Sequence, residues 1–187
     1  MKVLVATEKP FAAAAVNGIR EIVEGAGHEL ALLEKYTEKE QLLAAVADAD
    51  ALIVRSDKVT ADVVAAAKQL KIVVRAGAGY DNLDLPSCTE RGIVAMNTPG
   101  QNSNAVAELA LGLMIYMSRN QFTPGTGCEL SGKTLGIQGF GNIGQLVAKK
   151  AVALGMNVLI YTNEVKEKHQ RWNTTFSLEG LYSTCDF

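Results

Sequence analysis

Gly132-Lys133-Thr134-Leu135-Gly136-Ile137-Gln138-Gly139-Phe140-Gly141-Asn142-Ile143-Gly144 is followed at once by Gln145-Leu146-Val147-Ala148-Lys149-Lys150-Ala151-Val152-Ala153-Leu154. The apolar run Leu135 to Ile137 predicts a strand, the glycines a tight turn, and the alanine-rich segment a helix. A G-x-G-x-x-G spacing between strand and helix is the physical signature of dinucleotide binding. Gly139 permits the turn, Gly141 lets backbone approach a pyrophosphate, and Gly144 lets helix and strand pack closely. The helix start, at Asn142 and Ile143, offers unpaired N–H groups and partial positive charge to phosphates. The bland alternative is a tight strand–helix turn with no ligand.

Upstream, five short apolar runs predict strands: Val3 to Ala6, Leu30 to Leu33, Ala51 to Val54, Ile72 to Val74 and Ile93 to Ala95. Helical segments lie between them. Phe11, Ala15, Ile19 and Ile22/Val23 are expected on the inner face of the first. Thr37-Glu38-Lys39-Glu40 predicts a capping box, and Thr60 a cap for Ala61 to Ala67. A short fourth helix is expected between Leu83 and Glu90, around Pro86. Strands alternating with helices at this spacing predict a parallel sheet covered on both faces. Residues 1–100 thus read as a flavodoxin-like α/β unit, and residues 101–187 as a linking helix plus the first part of a Rossmann domain.

That linking helix, Asn102 to Asn120, carries Val106, Leu109, Ala110, Leu113, Met114 and Met117 as a wide apolar stripe. A helix apolar on most sides is expected to be buried, between domains or between subunits. Met114 and Met117 read as core filling. After the glycine motif, Asn157 to Tyr161 predicts a strand and Thr162 to Thr175 a polar loop. Ser177 is placed to cap a helix over Leu178 to Thr184, and Asp186-Phe187 to start a third strand.

The 187 residues are 48% hydrophobic with a net charge of −2, enough apolar matter for a sizeable core. Balanced charge gives no footprint for nucleic acid. Cys88, Cys128 and Cys185 form no C-x-x-C pair, which predicts free thiols, no metal site and a reducing, cytoplasmic setting. The longest apolar run, Leu109 to Met117, is too short to span a bilayer.

Several further stretches are shared with one family. They are Ala51-Leu52-Ile53-Val54-Arg55-Ser56 with Val59-Thr60, and Val74-Arg75-Ala76-Gly77-Ala78-Gly79-Tyr80-Asp81-Asn82-Leu83-Asp84. Asn97-Thr98-Pro99, Val106-Ala107-Glu108-Leu109 and the Gly132 to Gly136 lead-in complete the set. With these the chain resembles the D-2-hydroxyacid dehydrogenases, and among them the branch acting on 3-phosphoglycerate. The resemblance implies oxidation of a D-2-hydroxy acid by NAD, in a cleft between two α/β domains, in a homodimer joined through the dinucleotide domain. It implies 3-phosphoglycerate as substrate and 3-phosphohydroxypyruvate as product, the entry into serine biosynthesis. A glyoxylate or hydroxypyruvate reductase is the neighbouring alternative, and a non-catalytic dinucleotide-sensing module the alternative from another class.

The expected substrate residues are Arg55, Ser56, Arg75, Gly77, Ala78, Gly79 and Asn102. Arg55 and Arg75 end apolar runs, at the sheet edge where open α/β folds bind ligands. A guanidinium fork suits carboxylate or phosphate, although each arginine alone equally suits a surface ion pair. Consecutive N–H groups at Gly77, Ala78 and Gly79 predict an anion nest, or else a plain glycine turn. Asn102 either caps the long helix or donates to substrate. The expected dinucleotide residues are Ala78, Gly139, Gly141, Asn142, Ile143, Gly144 and Thr162.

Three departures from the family pattern stand out. Thr162 occupies the place, about 20 residues past the glycines, where an acidic residue usually holds the adenosine ribose. A neutral residue there admits NADP as well as NAD, with Lys166 and Lys168 the nearest cations, and Asn142 stands where the family often has arginine. The connection from the long helix to Gly132 is shorter than usual. The family's catalytic arginine, glutamate and histidine lie beyond the position of Phe187, so the expectation is a longer enzyme. His28 and His169 do not match the acid/base position and read as surface residues, as does Trp172.

Overall fold

The computed structural model describes residues 1–163, 172–175 and 177–187. It divides into two compact units, Met1–Pro99 and Gly100–Phe187. Lys166, Lys168 and His169, singled out above, lie outside the described residues.

The first unit is built on β1 (Lys2–Thr7), β2 (Glu29–Glu34), β3 (Ala51–Val54), β4 (Ile72–Arg75) and β5 (Val94–Asn97). All pair in parallel, in the order β2-β1-β3-β4-β5. This is the doubly wound order whose switch point falls between β1 and β3. The helices α1 (Ala13–Gly25), α2 (Lys39–Val46), α3 (Ala61–Ala66) and α4 (Leu85–Glu90) make the crossovers. Leu4, Leu52, Val54 and Val73 from the sheet pack with Leu42, Val46, Val63 and Val64 of α2 and α3 in one continuous core. Burying such side chains supplies roughly 1.5–3 kcal/mol each, before entropy is counted.

Local signals differ in detail from the sequence reading. In α1 the sheltered positions are Val16, Ile19 and Val23, whereas Ala15 is exposed and Ile22 is 75% exposed. The alanine-rich start made both registers look equally apolar. The α2 cap is Glu38 with Gln41, whose side chain accepts from the Thr37 and Glu38 amides at 3.0 and 3.1 Å, one position past the expected pair. Thr60 precedes α3, but its hydroxyl donates to the Asp62 carboxylate instead of capping. At α4, Asp84 caps by accepting from the Ser87 amide at 3.0 Å, with Pro86 in the first turn.

In the second unit α5 (Ser103–Ser118) packs against α6 (Asn142–Ala153) through small residues, with Ala107, Ala148 and Ala151 fully buried and Ala110 and Met114 beside them. The expected stripe is therefore rotated. Leu109, Leu113 and Met117 are exposed, because alanines permit closer helix approach than leucines. A single 3₁₀ turn, Asn120–Phe122, follows with φ of +51°, +57° and +59°. The short connection closes through this left-handed stretch.

The second sheet is parallel, β6 (Thr134–Gln138), β7 (Asn157–Tyr161) and β8 (Asn173–Thr174), in that order. The third strand is thus β8 and not Asp186-Phe187. Those last residues lie along β6, where Gly136 donates to the Phe187 carbonyl at 2.8 Å and Asp186 to the Thr134 carbonyl at 2.9 Å. The chain has crossed from one side of β6 to the other, as a doubly wound sheet requires. Between them α7 (Leu178–Thr184) is capped by Ser177, which accepts from the Gly180 amide at 3.0 Å. Trp172 is half-buried and meets the Phe140 ring edge-on at 5.5 Å.

Candidate functional site

Two constellations lie at carboxyl edges of strands, one in each unit. In the first unit, Arg75 is the last residue of β4 and stands opposite Val54 in the ladder, directly before Arg55. The two arginines thus end adjacent parallel strands, one residue apart in register. Among the described residues neither arginine belongs to an ion pair. The Arg75 Nε is buried and has no hydrogen-bond partner among them. Buried donors are nearly always satisfied, so this Nε calls for an acceptor that the described residues do not supply.

The Arg75 guanidinium lies over Gly77: a Cβ there would sit 1.4 Å from Nη1. Any side chain at 77 would evict the arginine. The Gly77 amide donates back to the Arg75 carbonyl at 2.8 Å, so the expected three-amide nest loses its first member. The amides of Ala78 and Gly79 make no hydrogen bond among the described residues. Their loop is held from behind. Thr98 donates its amide to the Gly77 carbonyl at 2.9 Å, and Asn97 Nδ2 donates to the Ala78 carbonyl at 2.7 Å.

The loop of Arg55 and Ser56 is held by residues that sequence reading missed. Asp57 is 5% exposed, yet carries a carboxylate. Its Oδ1 accepts from the Glu8 amide at 2.7 Å and the Tyr36 hydroxyl at 2.8 Å, and its Oδ2 from the Arg55 amide at 3.3 Å. Its carbonyl accepts from Asn82 Nδ2 at 2.8 Å, in the loop after β4. Burial and the neighbouring Asp57 carboxylate push the Tyr36 phenol well above the ordinary tyrosine range. Only the apolar-to-polar break at Ser56-Asp57 hinted at this in the sequence.

In the second unit Gly139 follows β6 with φ +86° and donates its amide to the Tyr161 carbonyl at 2.8 Å. A Cβ on Gly144 would lie 2.4 Å from the Gly139 carbonyl oxygen, whereas one on Gly141 would meet nothing within 4 Å. Gly141 is exposed and forms the N-cap of α6 without any side-chain capping bond. The first-turn amides of α6 therefore face an open approach, which is what a diphosphate needs. Asn142 and Ile143 begin that turn and are exposed, and Thr162, half-buried, follows the end of β7. Asn102 is the exposed N-cap of α5 and makes no capping bond with its side chain.

Other features are set apart from these edges. A recess of about 550 Å³ in the second unit is lined by Lys149, Met156, Asn157 and Trp172, among others. It lies at the amino end of β7, opposite the glycine turn. Among the described residues no three His, Cys, Asp or Glu side chains converge as a metal site would require, and no helix is long and apolar enough to cross a membrane. All three cysteines are free, and burial pushes the Cys88 and Cys185 thiols up. His28 is half-buried, with its amide donated to the Val23 carbonyl at 3.0 Å.

Residues 5–182 match the family described as D-isomer specific 2-hydroxyacid dehydrogenase, catalytic domain. A hydroxypyruvate reductase of Thermotoga maritima is 46% identical over 173 residues, covering 85% of this chain and 56% of the relative. A D-3-phosphoglycerate dehydrogenase of Methanocaldococcus jannaschii is 47% identical over 137 residues, covering 66% of this chain and 26% of the relative. The chain therefore spans about half, or less, of the length of the curated relatives it matches. Among solved structures, the NAD+-bound 3-phosphoglycerate dehydrogenase of Entamoeba histolytica superposes with a TM-score of 0.91. It is 48% identical, with 99% of this chain and 60% of that one covered.

Proposed function

Because the chain belongs to the D-isomer specific 2-hydroxyacid dehydrogenases, we propose that it is the substrate-binding unit and the beginning of the dinucleotide-binding unit of an enzyme oxidising 3-phosphoglycerate to 3-phosphohydroxypyruvate. The observation that carries this reading is the buried Nε of Arg75, without a partner among the described residues, with a second arginine, Arg55, at the end of the next strand. A carboxylate and a phosphate together supply the acceptors these groups lack.

In this reading Arg55 and Arg75 hold the anionic groups, and the amides of Ala78 and Gly79 complete the carboxylate site. Gly77 supplies room for the Arg75 guanidinium, while Ser56 adds a donor. Gly139, Gly141 and Gly144, with the α6 amides at Asn142 and Ile143, take the pyrophosphate. When bound, the nicotinamide accepts the hydride. The chain's own part is to orient the hydroxy acid by its charged ends, so that the carbon to be oxidised is held still. Thr162 exerts no charge repulsion on a 2′-phosphate, so the site takes NADP as well as its first partner NAD. The enzyme's base and its catalytic arginine belong, by family likeness, to sequence past residue 187.

The enzyme is a cytoplasmic homodimer in serine biosynthesis on this account. The exposed apolar positions Leu109, Leu113 and Met117 on α5 support the dimer, and the free thiols support the compartment. A hydroxypyruvate reductase is the second reading, favoured by the Thermotoga maritima relative. Arg55→Ala in the enzyme as the cell makes it separates the two. A loss confined to 3-phosphoglycerate supports the phosphate reading, and an equal loss with unphosphorylated hydroxy acids sinks it. Dinucleotide binding without turnover of any hydroxy acid would favour a sensing module instead.

A further inference from the structure

Asp57 is a buried carboxylate that belongs to no ion pair among the described residues, although taking a charge out of water is expensive. Three donors offset that cost, and each comes from a different strand end. The Glu8 amide follows β1, the Tyr36 hydroxyl follows β2, and the Arg55 amide follows β3. A fourth link, from Asn82 to the Asp57 carbonyl, comes from the loop after β4. The donors lie 49, 21, 2 and 25 residues from Asp57 along the chain. A residue that served only the core would do so better as an apolar side chain of similar volume. What the carboxylate supplies is direction: it fixes the backbone of Arg55 on one side and of its own residue on the other, with Ser56 between.

We propose that Asp57, braced by the Tyr36 hydroxyl, is a positioning residue that presents Arg55 and Ser56 to the substrate anion. This rests on the substrate reading given under Proposed function. The pair also reaches the second arginine's loop, because Asn82, bound to Asp57, accepts the Val59 amide on its carbonyl at 2.9 Å. The two anion-holding loops are therefore laced together behind the site. Displacement of a charged anchor weakens the directional hydrogen bonds it makes to the group it holds.

The test is a double-mutant cycle in the enzyme as the cell makes it, with 3-phosphoglycerate as the varied substrate. Tyr36→Phe removes one oxygen and is expected to raise KM for the acid about 3- to 10-fold, with kcat and the dinucleotide KM changed less than about twofold. In an Arg55→Ala background the same change should raise KM clearly less, because the Arg55 side chain that Tyr36 helps to place is gone and only Ser56 remains to be placed. Asp57→Asn should raise KM further, since its amide faces the Arg55 amide. Should Asp57→Asn fail to fold, Tyr36→Phe decides alone. Equal effects in both backgrounds, or a fall in kcat with KM unmoved, would mean a structural role and overturn the proposal. If Arg55→Ala itself leaves KM unchanged, the substrate reading falls and takes this proposal with it. If Arg55→Ala raises KM while Tyr36→Phe does not, only the positioning role is lost.

Discussion

The Cα of Gly144 faces the carbonyl of Gly139 so closely that a Cβ would stand 2.4 Å from its oxygen. Gly141, between them in sequence, faces open space. The two glycines therefore fail differently when replaced. Gly144→Ala forces helix α6 off its strand and is expected to cost about 1–3 kcal/mol of stability. Gly141→Ala, at an unstrained φ of −79°, should change stability by less than about 0.5 kcal/mol. It should nevertheless weaken dinucleotide affinity at least about tenfold, because the methyl stands in the pyrophosphate's approach. Thermal melting alongside calorimetric titration with NAD separates the two effects. Equal destabilisation by both would contradict this division of roles.

Tyr36 predicts an alkaline signature. Burial first, and then the Asp57 hydrogen bond, raise its pKa in the folded protein above the ordinary 10.0. A raised pKa means the folded state keeps a proton that the unfolded state gives up. Its stabilisation is therefore complete below about pH 10 and falls as pH rises further, by up to about 1.4 kcal/mol per pH unit. Denaturant melts across that range should show a shallower slope in Tyr36→Phe than in wild type. Identical slopes would remove the phenol from the account.

The left-handed turn at Asn120, Gln121 and Phe122 stores strain in residues that bear a Cβ. Gln121 is exposed, so its replacement touches no core packing. Gln121→Gly should relieve more strain than it adds in chain entropy, for a net gain of a few tenths to about 1 kcal/mol. That corresponds to a rise in Tm of about 1–4 °C for a chain of this size. A fall in Tm would show that the turn is not held left-handed.

What the sequence made legible was local. Strand ends, the glycine turn and the Ser177 cap are written in neighbouring residues, and β3, β7 and α7 have the bounds that their apolar and capping signals predict. The inward face of α5 was not legible, because Ala107 and Leu109 are both apolar and only the partner helix decides between them. The Asp186-Phe187 segment reads as strand, but its place beside β6 depends on a crossover that no short-range signal encodes. At the site, Arg55 and Arg75 were visible as cations ending apolar runs. Their supports were not, since Asp57 with Tyr36 and Asn97 with Ala78 are pairs made by topology. The loss of the Gly77 amide from the nest is a matter of one backbone torsion, below what residue identity specifies.

The most direct measurement is the initial rate of reduced dinucleotide formation from 3-phosphoglycerate by the enzyme as the cell makes it, beside its Arg75→Gln variant. The account predicts turnover in the wild type and, in the variant, a KM for the acid raised at least about tenfold, the scale of a lost charge-assisted hydrogen bond. Dinucleotide affinity should stay unchanged. Wild-type turnover unaffected by Arg75→Gln, or dinucleotide binding with no oxidation of any D-2-hydroxy acid, would contradict it.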